Sequence, residues 1–379
     1  MKPIVIAGYA RSPFTLAHKG ALAHTRPDDI AAAVVRALLE RTHTDPALIE
    51  DLIMGCAFPE GEQGFNIARL VGFLADLPLK VAGVTVNRFC GSSMQAIHMA
   101  AGAMQMGAGE AYICAGVESM SRIPMTGFNP MPHPDLAARM AGAYMGMGET
   151  AENVADQYRL SRLEQDTFAL SSHNKAAVAQ SSGRLYDEIV PIQTKTGVVT
   201  TDGCIRPNTT LETLQGLKPA FRERGTVTAA TSSPLTDGAS AVLVTTETFA
   251  EREGLQPLAY VRAFAVSGCQ PEIMGIGPVG SSLKALARAG ITMDDLDVIE
   301  LNEAFASQSL ASIRDLGLDP TKINIDGGAI ALGHPLGATG ARITGKAAEI
   351  LHRTKGKWAL STQCIGGGQG IATVLEGLA

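Results

Sequence analysis

Two of the six cysteines in this 379-residue chain sit where a thiol can do chemistry. Cys90, in Val86-Asn-Arg-Phe-Cys-Gly-Ser-Ser, follows a β-type run that ends at Phe89 and precedes a helical pattern that starts after Gly91. A thiol at a strand-to-helix turn feels the positive end of the helix, which favours thiolate over thiol. The small neighbours Gly91, Ser92 and Ser93 leave backbone N–H groups free to face an oxyanion. A buried structural cysteine is the competing reading. Cys364 also ends a β-type run and enters Ile365-Gly-Gly-Gly-Gln-Gly, whose glycines expose N–H groups; a plain glycine turn competes with it.

Two further side chains occupy similar places. His334 lies in Gly327-Gly-Ala-Ile-Ala-Leu-Gly-His-Pro-Leu-Gly, a loop with too many glycines for helix or strand that opens a helix near Thr339. A histidine there can serve as base for a thiol, or simply face solvent from a turn. Asn302, in Glu300-Leu-Asn-Glu-Ala-Phe, can hydrogen-bond a water or a carbonyl; a helix N-cap is the local alternative. All four positions fall at the C-terminal ends of strand-like runs, where open α/β sheets place ligands. Zinc is disfavoured, because no cysteine pair has metal-ligand spacing. Gly275-Ile-Gly-Pro-Val-Gly280 matches the dinucleotide-binding pattern, but six residues separate it from the preceding run and Pro278 removes a donor. It reads as the start of a helix, not as an NAD site.

The elements that must carry these residues alternate between strand and helix, the mark of a layered α/β fold. Strand-like runs fall at 3–8, 52–56, 84–87, 111–116, 239–245, 258–266, 296–301, 358–364 and 370–375, with an amphipathic helix at 27–42 and a capping box at Ser161 and Glu164. The run 51–56 echoes 297–302, and 111–116 echoes 358–363 at an offset of about 245 residues, which suggests two related halves. Residues 119–235, rich in Met, Pro, His and Ser, read as an inserted loop domain. The divisions expected are 1–118 with 236–257, then 119–235, then 258–379. Hydrophobic residues make up 46% of the chain against 18% charged, which fits a packed core and excludes disorder. A net charge of -6 argues against nucleic-acid or membrane-surface binding. No run is long enough to cross a membrane, the opening apolar run is too short for a secretory signal, and free thiols suggest the cytoplasm.

Taken together, VNRFCGSSMQA, NEAFA, GGAIALGHPLGATGAR and CIGGGQG resemble, in order and separation, the motifs of the thiolase superfamily. MGMGETAENVA, IRPNTT and GTVTAATSSPLTDG are similar to its coenzyme-A-binding and covering elements. The resemblance implies the thiolase fold: two similar α/β halves in a five-layer αβαβα sandwich, with a loop domain inserted. It implies that Cys90 is acylated and that His334 activates it. His334, with a water on Asn302, would hold the enolate oxygen. Cys364 would move the proton, and the N–H groups of Cys90 and Gly366 would form the oxyanion hole. It implies coenzyme A contacts at Arg206, Phe221, Ala229 and Ser233, with Met147, Ala304 and Phe305 near the thioester. Coenzyme A is then a substrate, with no permanently bound cofactor and no metal.

Within the superfamily, Asn302 points away from decarboxylating synthases, which usually place a histidine there. Many acetoacetyl-CoA thiolases carry a histidine where this chain has Gly146, so the closer resemblance is to bacterial degradative 3-ketoacyl-CoA thiolases. Met125, Met131, Met140, Met145 and Met147 would give a deformable acyl pocket. The implied reaction is thiolytic cleavage of 3-ketoacyl-CoA, by ping-pong through Cys90. Condensation of two acetyl-CoA is the close rival, and a docking subunit of a fatty-acid oxidation complex is the rival of another class. A homodimer or homotetramer is also implied, with room for a partner from such a complex.

Overall fold

The computed structural model describes residues 2–378. Its strands are β1 (Ile4–Arg11), β2 (Thr15–Leu16), β3 (Asp51–Gly55), β4 (Ala82–Val86), β5 (Ala111–Ser119), β6 (Ile192–Thr194), β7 (Gly197–Val199), β8 (Thr236–Thr246), β9 (Ala259–Gly268), β10 (Val298–Leu301), β11 (Trp358–Ile365) and β12 (Gln369–Gly377). The helices that frame them are α1 (Pro27–Thr42), α2 (Ile67–Leu74), α3 (Ser92–Gln105), α4 (Pro134–Arg139), α5 (Met147–Gln157), α6 (Arg162–Ser181), α7 (Leu211–Gln215), α8 (Glu247–Arg252), α9 (Gly277–Ala289), α10 (Ala306–Leu316), α11 (Ala329–Leu332) and α12 (Thr339–Thr354). All nine expected runs are strands. The run before Cys90 stops at Val86, three residues earlier than expected. The short β2, β6 and β7 carry too few residues for any periodicity to announce them.

The internal echo is a structural repeat. Moving out from β1, the neighbours are β8, β5, β3 and β4; moving out from β9 they are β12, β11 and β10. In each half the first two pairings are antiparallel and the next is parallel. Ile323 bridges Ile299 where the second half would have its counterpart of β4. The echoing segments are therefore equivalent strands, β3 with β10 and β5 with β11. Among the described residues, the halves join edge to edge at Val5–Tyr260 and Ile6–Ala259.

Strand periodicity sorts the core into layers. Leu52 and Met54 of β3 face α1 and α2, while Ile53 between them faces the other way, into a cluster built with α3 and α12. That central cluster also takes Ala259, Val298, Ala359 and Leu375 from the second half. Beyond the second half, α9 and α10 cover Ala263, Leu301 and Val374. Helix, sheet, paired helices, sheet, helix is the αβαβα order. With both faces of each sheet covered, the strands read as nearly continuous apolar runs.

The chain between β5 and β8 is pinned from beneath. Arg11 at the end of β1, fully buried, donates to both carboxylate oxygens of Asp202 at 2.7 and 2.8 Å and to Glu188 at 2.8 Å. Helix α6 starts on the expected capping box, with Ser161 and Glu164 reciprocally bonded. Of the five methionines expected to form an acyl pocket, three face outward: Met125, Met131 and Met140 are 39%, 90% and 45% exposed. Only Met147 of the five packs against the site described next.

Candidate active site

Cys90 sits in the five-residue turn between β4 and α3. Phe89 before it holds φ at +42°, a left-handed conformation costly for an aromatic residue, and this turns the thiol inward. The Cys90 carbonyl accepts a hydrogen bond from the Gln363 amide, one residue before Cys364. The β11–β12 hairpin that follows Cys364 needs its glycines, because Gly367 and Gly368 take φ of +80° and +81°. This hairpin aims the Gly366 N–H at the Cys90 sulfur. A Cβ on Gly366 would stand 3.6 Å from both Met147 Sδ and the Phe89 ring, so those two side chains flank that N–H.

Burial dominates the electrostatics. It pushes the Cys90 thiol from the ordinary 9 up to about 11, although the N–H groups of Gly366 and Cys90 pull it down. Burial therefore outweighs the N–H groups that favour the anion. The N–H groups of the turn act in the direction expected, toward thiolate, and burial acts against them and leaves a resting thiol. Cys364 is raised well above its ordinary value too, by burial and then by the nearby Cys90 and Cys269 sulfurs.

His334 follows Gly333, which needs φ of +106° to turn out of α11. Burial, then the Arg342 charge, hold the imidazole down at about 3, so it is neutral and able to accept a proton. Its Nε2 lies 3.3 Å from Asn302 Nδ2, and Leu336 two residues on packs beside Cys90. Asn302 is not a helix cap: α10 begins only at Ala306, capped at Phe305. Its N–H donates to Thr362 O at 3.0 Å, which ties β10 to β11 beside Cys364.

The other expected residues fall into two groups. Met147, Ala304 and Phe305 share an apolar cluster with Cys364, and the Phe221 ring meets Phe305 edge-on at 6.0 Å between centroids. Ser233 N–H donates to Ala304 O at 2.9 Å, so the two segments run side by side. Arg206 and Ala229 line another cleft with His173 and Ser232. His173 escaped the sequence reading, for nothing in α6 sets it apart. Its Nδ1 accepts from Arg206 N–H at 3.2 Å, and burial followed by the Arg206 charge hold it at about 4.

Two buried carboxylates were also missed. Glu118 accepts from the N–H groups of Ala57 at 2.8 Å and Gly337 at 2.9 Å, and from Gln63 at 2.7 Å. It thereby clasps the loop after β3 to the loop after His334. Glu303 accepts from Asn324 at 2.8 Å and Ile330 N–H at 3.2 Å. It braces the glycine loop leading to His334. Each sits beside a legible motif, yet a lone acid gives no sign that its partners are backbone donors far along the chain.

The glycines of 275–280 do another job than a phosphate cradle. A Cβ on Gly277 would stand 2.0 Å from Gln369 O, so the residue lets α9 lie against β12.

Residues 4–248 match the family description "Thiolase, N-terminal domain" and residues 255–377 match "Thiolase, C-terminal domain". The chain is 46% identical over 389 residues to a 3-ketoacyl-CoA thiolase of Bacillus subtilis (strain 168), covering 99% of this chain and 100% of that one. It is 48% identical over 382 residues to a 3-ketoacyl-CoA thiolase of Pseudoalteromonas translucida (strain TAC 125), covering 98% of each. A 3-oxoadipyl-CoA/3-oxo-5,6-dehydrosuberyl-CoA thiolase of Escherichia coli (strain K12) is 46% identical over 381 residues, with 94% and 95% covered. The human mitochondrial 3-ketoacyl-CoA thiolase structure in complex with CoA superposes with a TM-score of 0.92 at 37% identity, covering 100% of this chain and 98% of that one. The two halves, the five layers and the matched motifs have one common explanation: the chain belongs to the thiolase family.

Proposed function

We propose that this thiolase is an acyltransferase that cleaves 3-ketoacyl-CoA with coenzyme A, giving acetyl-CoA and an acyl-CoA two carbons shorter. The observation that carries this reading is the pairing of two buried thiols by one hairpin, which sets Gly366 N–H on Cys90 just beyond Cys364. The relatives named 3-ketoacyl-CoA thiolase support the substrate class.

In this reading Cys90 sulfur attacks the 3-keto carbon as its proton passes to His334. The N–H groups of Cys90 and Gly366 receive the oxyanion. The bond between C2 and C3 then breaks, its electron pair forming the acetyl-CoA enolate beside Asn302 and His334. Cys364 protonates that carbon, leaving Cys90 acylated. Coenzyme A enters, gives its thiol proton to the Cys364 thiolate and takes the acyl group, and the Cys90 sulfur so released recovers its proton from His334. Two cysteines are required because one bonds carbon while the other moves a proton. A resting thiol beside a neutral imidazole fits this sequence: charge separation waits for a carbonyl that can accept it.

Coenzyme A runs, we infer, from the Arg206 and Ala229 cleft past Phe221 and Ser233 to Met147, Ala304 and Phe305, under the covering segment 119–235. Self-association fits the exposed Phe65 and Leu79, 95% and 79% accessible. No helix among the described residues is long and apolar enough to cross a membrane, and the six unpaired cysteines suit a reducing cytoplasm.

The test is thiolysis of 3-ketoacyl-CoA substrates from four to sixteen carbons, with 3-oxoadipyl-CoA beside them. Cleavage that strengthens beyond four carbons is expected. A Cβ at Gly146 would meet nothing within 4 Å, so Gly146→His should fold, and it should lower kcat/KM for eight carbons about tenfold more than for four. Activity confined to acetoacetyl-CoA would favour acetyl transfer instead, and no cleavage at all would leave a docking role.

A further inference from the structure

His334 is held through three atoms. Its backbone N–H donates to Thr236 Oγ1 at 3.1 Å, its Nε2 faces Asn302 Nδ2 at 3.3 Å, and its Nδ1 lies 2.6 Å from Thr339 Oγ1. Asn302 Oδ1 is buried without a partner, so the amide can turn either its N–H or its oxygen to Nε2, and the place of the ring proton is set at the other nitrogen. Thr339 Oγ1 also stands 3.0 Å from the Pro335 carbonyl, which only accepts. The hydroxyl proton goes to Pro335, and the oxygen lone pair is left for Nδ1–H.

The opposite tautomer would ask the Thr339 hydroxyl to leave Pro335 and turn toward Nδ1. Thr339 is fully buried as the first residue of α12, so no solvent is present to substitute for it. The hydroxyl further accounts for the shape of the loop, because the carbonyl it holds belongs to the residue directly after the histidine.

We propose that Thr339 is a positioning residue that fixes His334 as the Nδ1–H tautomer, so that Nε2 presents its lone pair to the proton leaving Cys90. This rests on the reading of His334 as the base. A base held in the wrong tautomer keeps its place and its ordinary affinity for substrate but has no lone pair where the proton arrives. The effect should therefore fall on the acylation rate and not on coenzyme A binding.

The test compares Thr339→Val, Thr339→Ser and His334→Ala. The rate of Cys90 acylation by acetyl-CoA is followed in single turnover from pH 6 to 9, with coenzyme A affinity measured by calorimetry. We expect Thr339→Val to acylate about 10–100-fold more slowly, the range typical when the partner that orients a histidine is lost, with affinity unchanged. Thr339→Ser, which keeps the hydroxyl, should return to within a few-fold of wild type. In 15N-histidine-labelled wild type, the resonances lost in His334→Ala should show the proton on Nδ1. A wild-type proton on Nε2 overturns the proposal even if Thr339→Val fails to fold. So does wild-type acylation by Thr339→Val, or a Thr339→Ser as slow as the valine variant. Undiminished acylation by His334→Ala would instead remove the base reading itself, and this proposal with it.

Discussion

At the scale of single residues, the site keeps its reactive groups uncharged. Cys90 is pushed up to about 11 and His334 down to about 3, both first by burial. The consequence appears with a small neutral alkylating reagent, which needs thiolate but offers His334 no reaction to assist. The thiolate fraction then grows about tenfold per pH unit until the thiol titrates. Cys90 should accordingly be alkylated by iodoacetamide at a rate rising by that factor from pH 7 to 9, without levelling off. A plateau below pH 8 would mean that the helix terminus, not burial, sets the state of the sulfur. The turn that singles out the residue was legible in the sequence. That it rests protonated was not, because burial depends on Ala17, Ala57, Met120 and Leu336, which arrive from four other segments.

At the scale of elements, the sequence showed where strands lie and where glycines cluster, but not what a glycine cluster is for. Residues 275–280 and 366–368 look alike on paper. In the first, Gly277 admits a neighbouring strand; in the second, Gly367 and Gly368 bend a hairpin through left-handed backbone. Partners distant in sequence decide between them. The same holds for Arg11, whose place at the end of β1 gave no hint that it anchors residues 188 and 202. Its guanidinium satisfies Glu188 and Asp202 inside the protein, at 0% side-chain exposure for Arg11 and Asp202 and 3% for Glu188. Glu188 also faces the Lys346 ammonium at 2.9 Å, so removing Arg11 strands chiefly Asp202. Arg11→Ala should lose about 3–5 kcal/mol in urea unfolding monitored by circular dichroism. A loss below ~1 kcal/mol would show that water or a shifted side chain replaces it.

At the scale of the whole molecule, the repeat was faintly legible as two short echoes, whereas the way the halves interlock was not. They share few backbone hydrogen bonds, so their union depends on the central helices and on side chains that cross between them. His98 of α3 is one of these. It stacks on Phe264 of β9 with ring centroids 4.2 Å apart, and its Nε2 meets Thr373 Oγ1 of β12 at 2.8 Å. Burial, then the Arg88 charge, hold it down at about 3. The folded chain therefore keeps His98 neutral where the unfolded chain protonates it, from about pH 6.5 downward. A depressed histidine takes stability away as pH falls through its unfolded value, by about 1.4 kcal/mol per pH unit. Other buried groups titrate in the same window: His334 acts in the same sense, while Glu300, raised to about 7 chiefly by burial, acts in the opposite one. The total slope thus mixes signs, and only a difference between variants isolates His98. His98→Gln retains a hydrogen-bonding side chain but cannot titrate. Its unfolding free energy should depend on pH more weakly than wild type between pH 4.5 and 6, by about 1.4 kcal/mol per unit. Parallel curves for the two proteins would mean that His98 is already charged in the fold, and that its stack on Phe264 is a cation over a ring instead of a neutral seam between the halves.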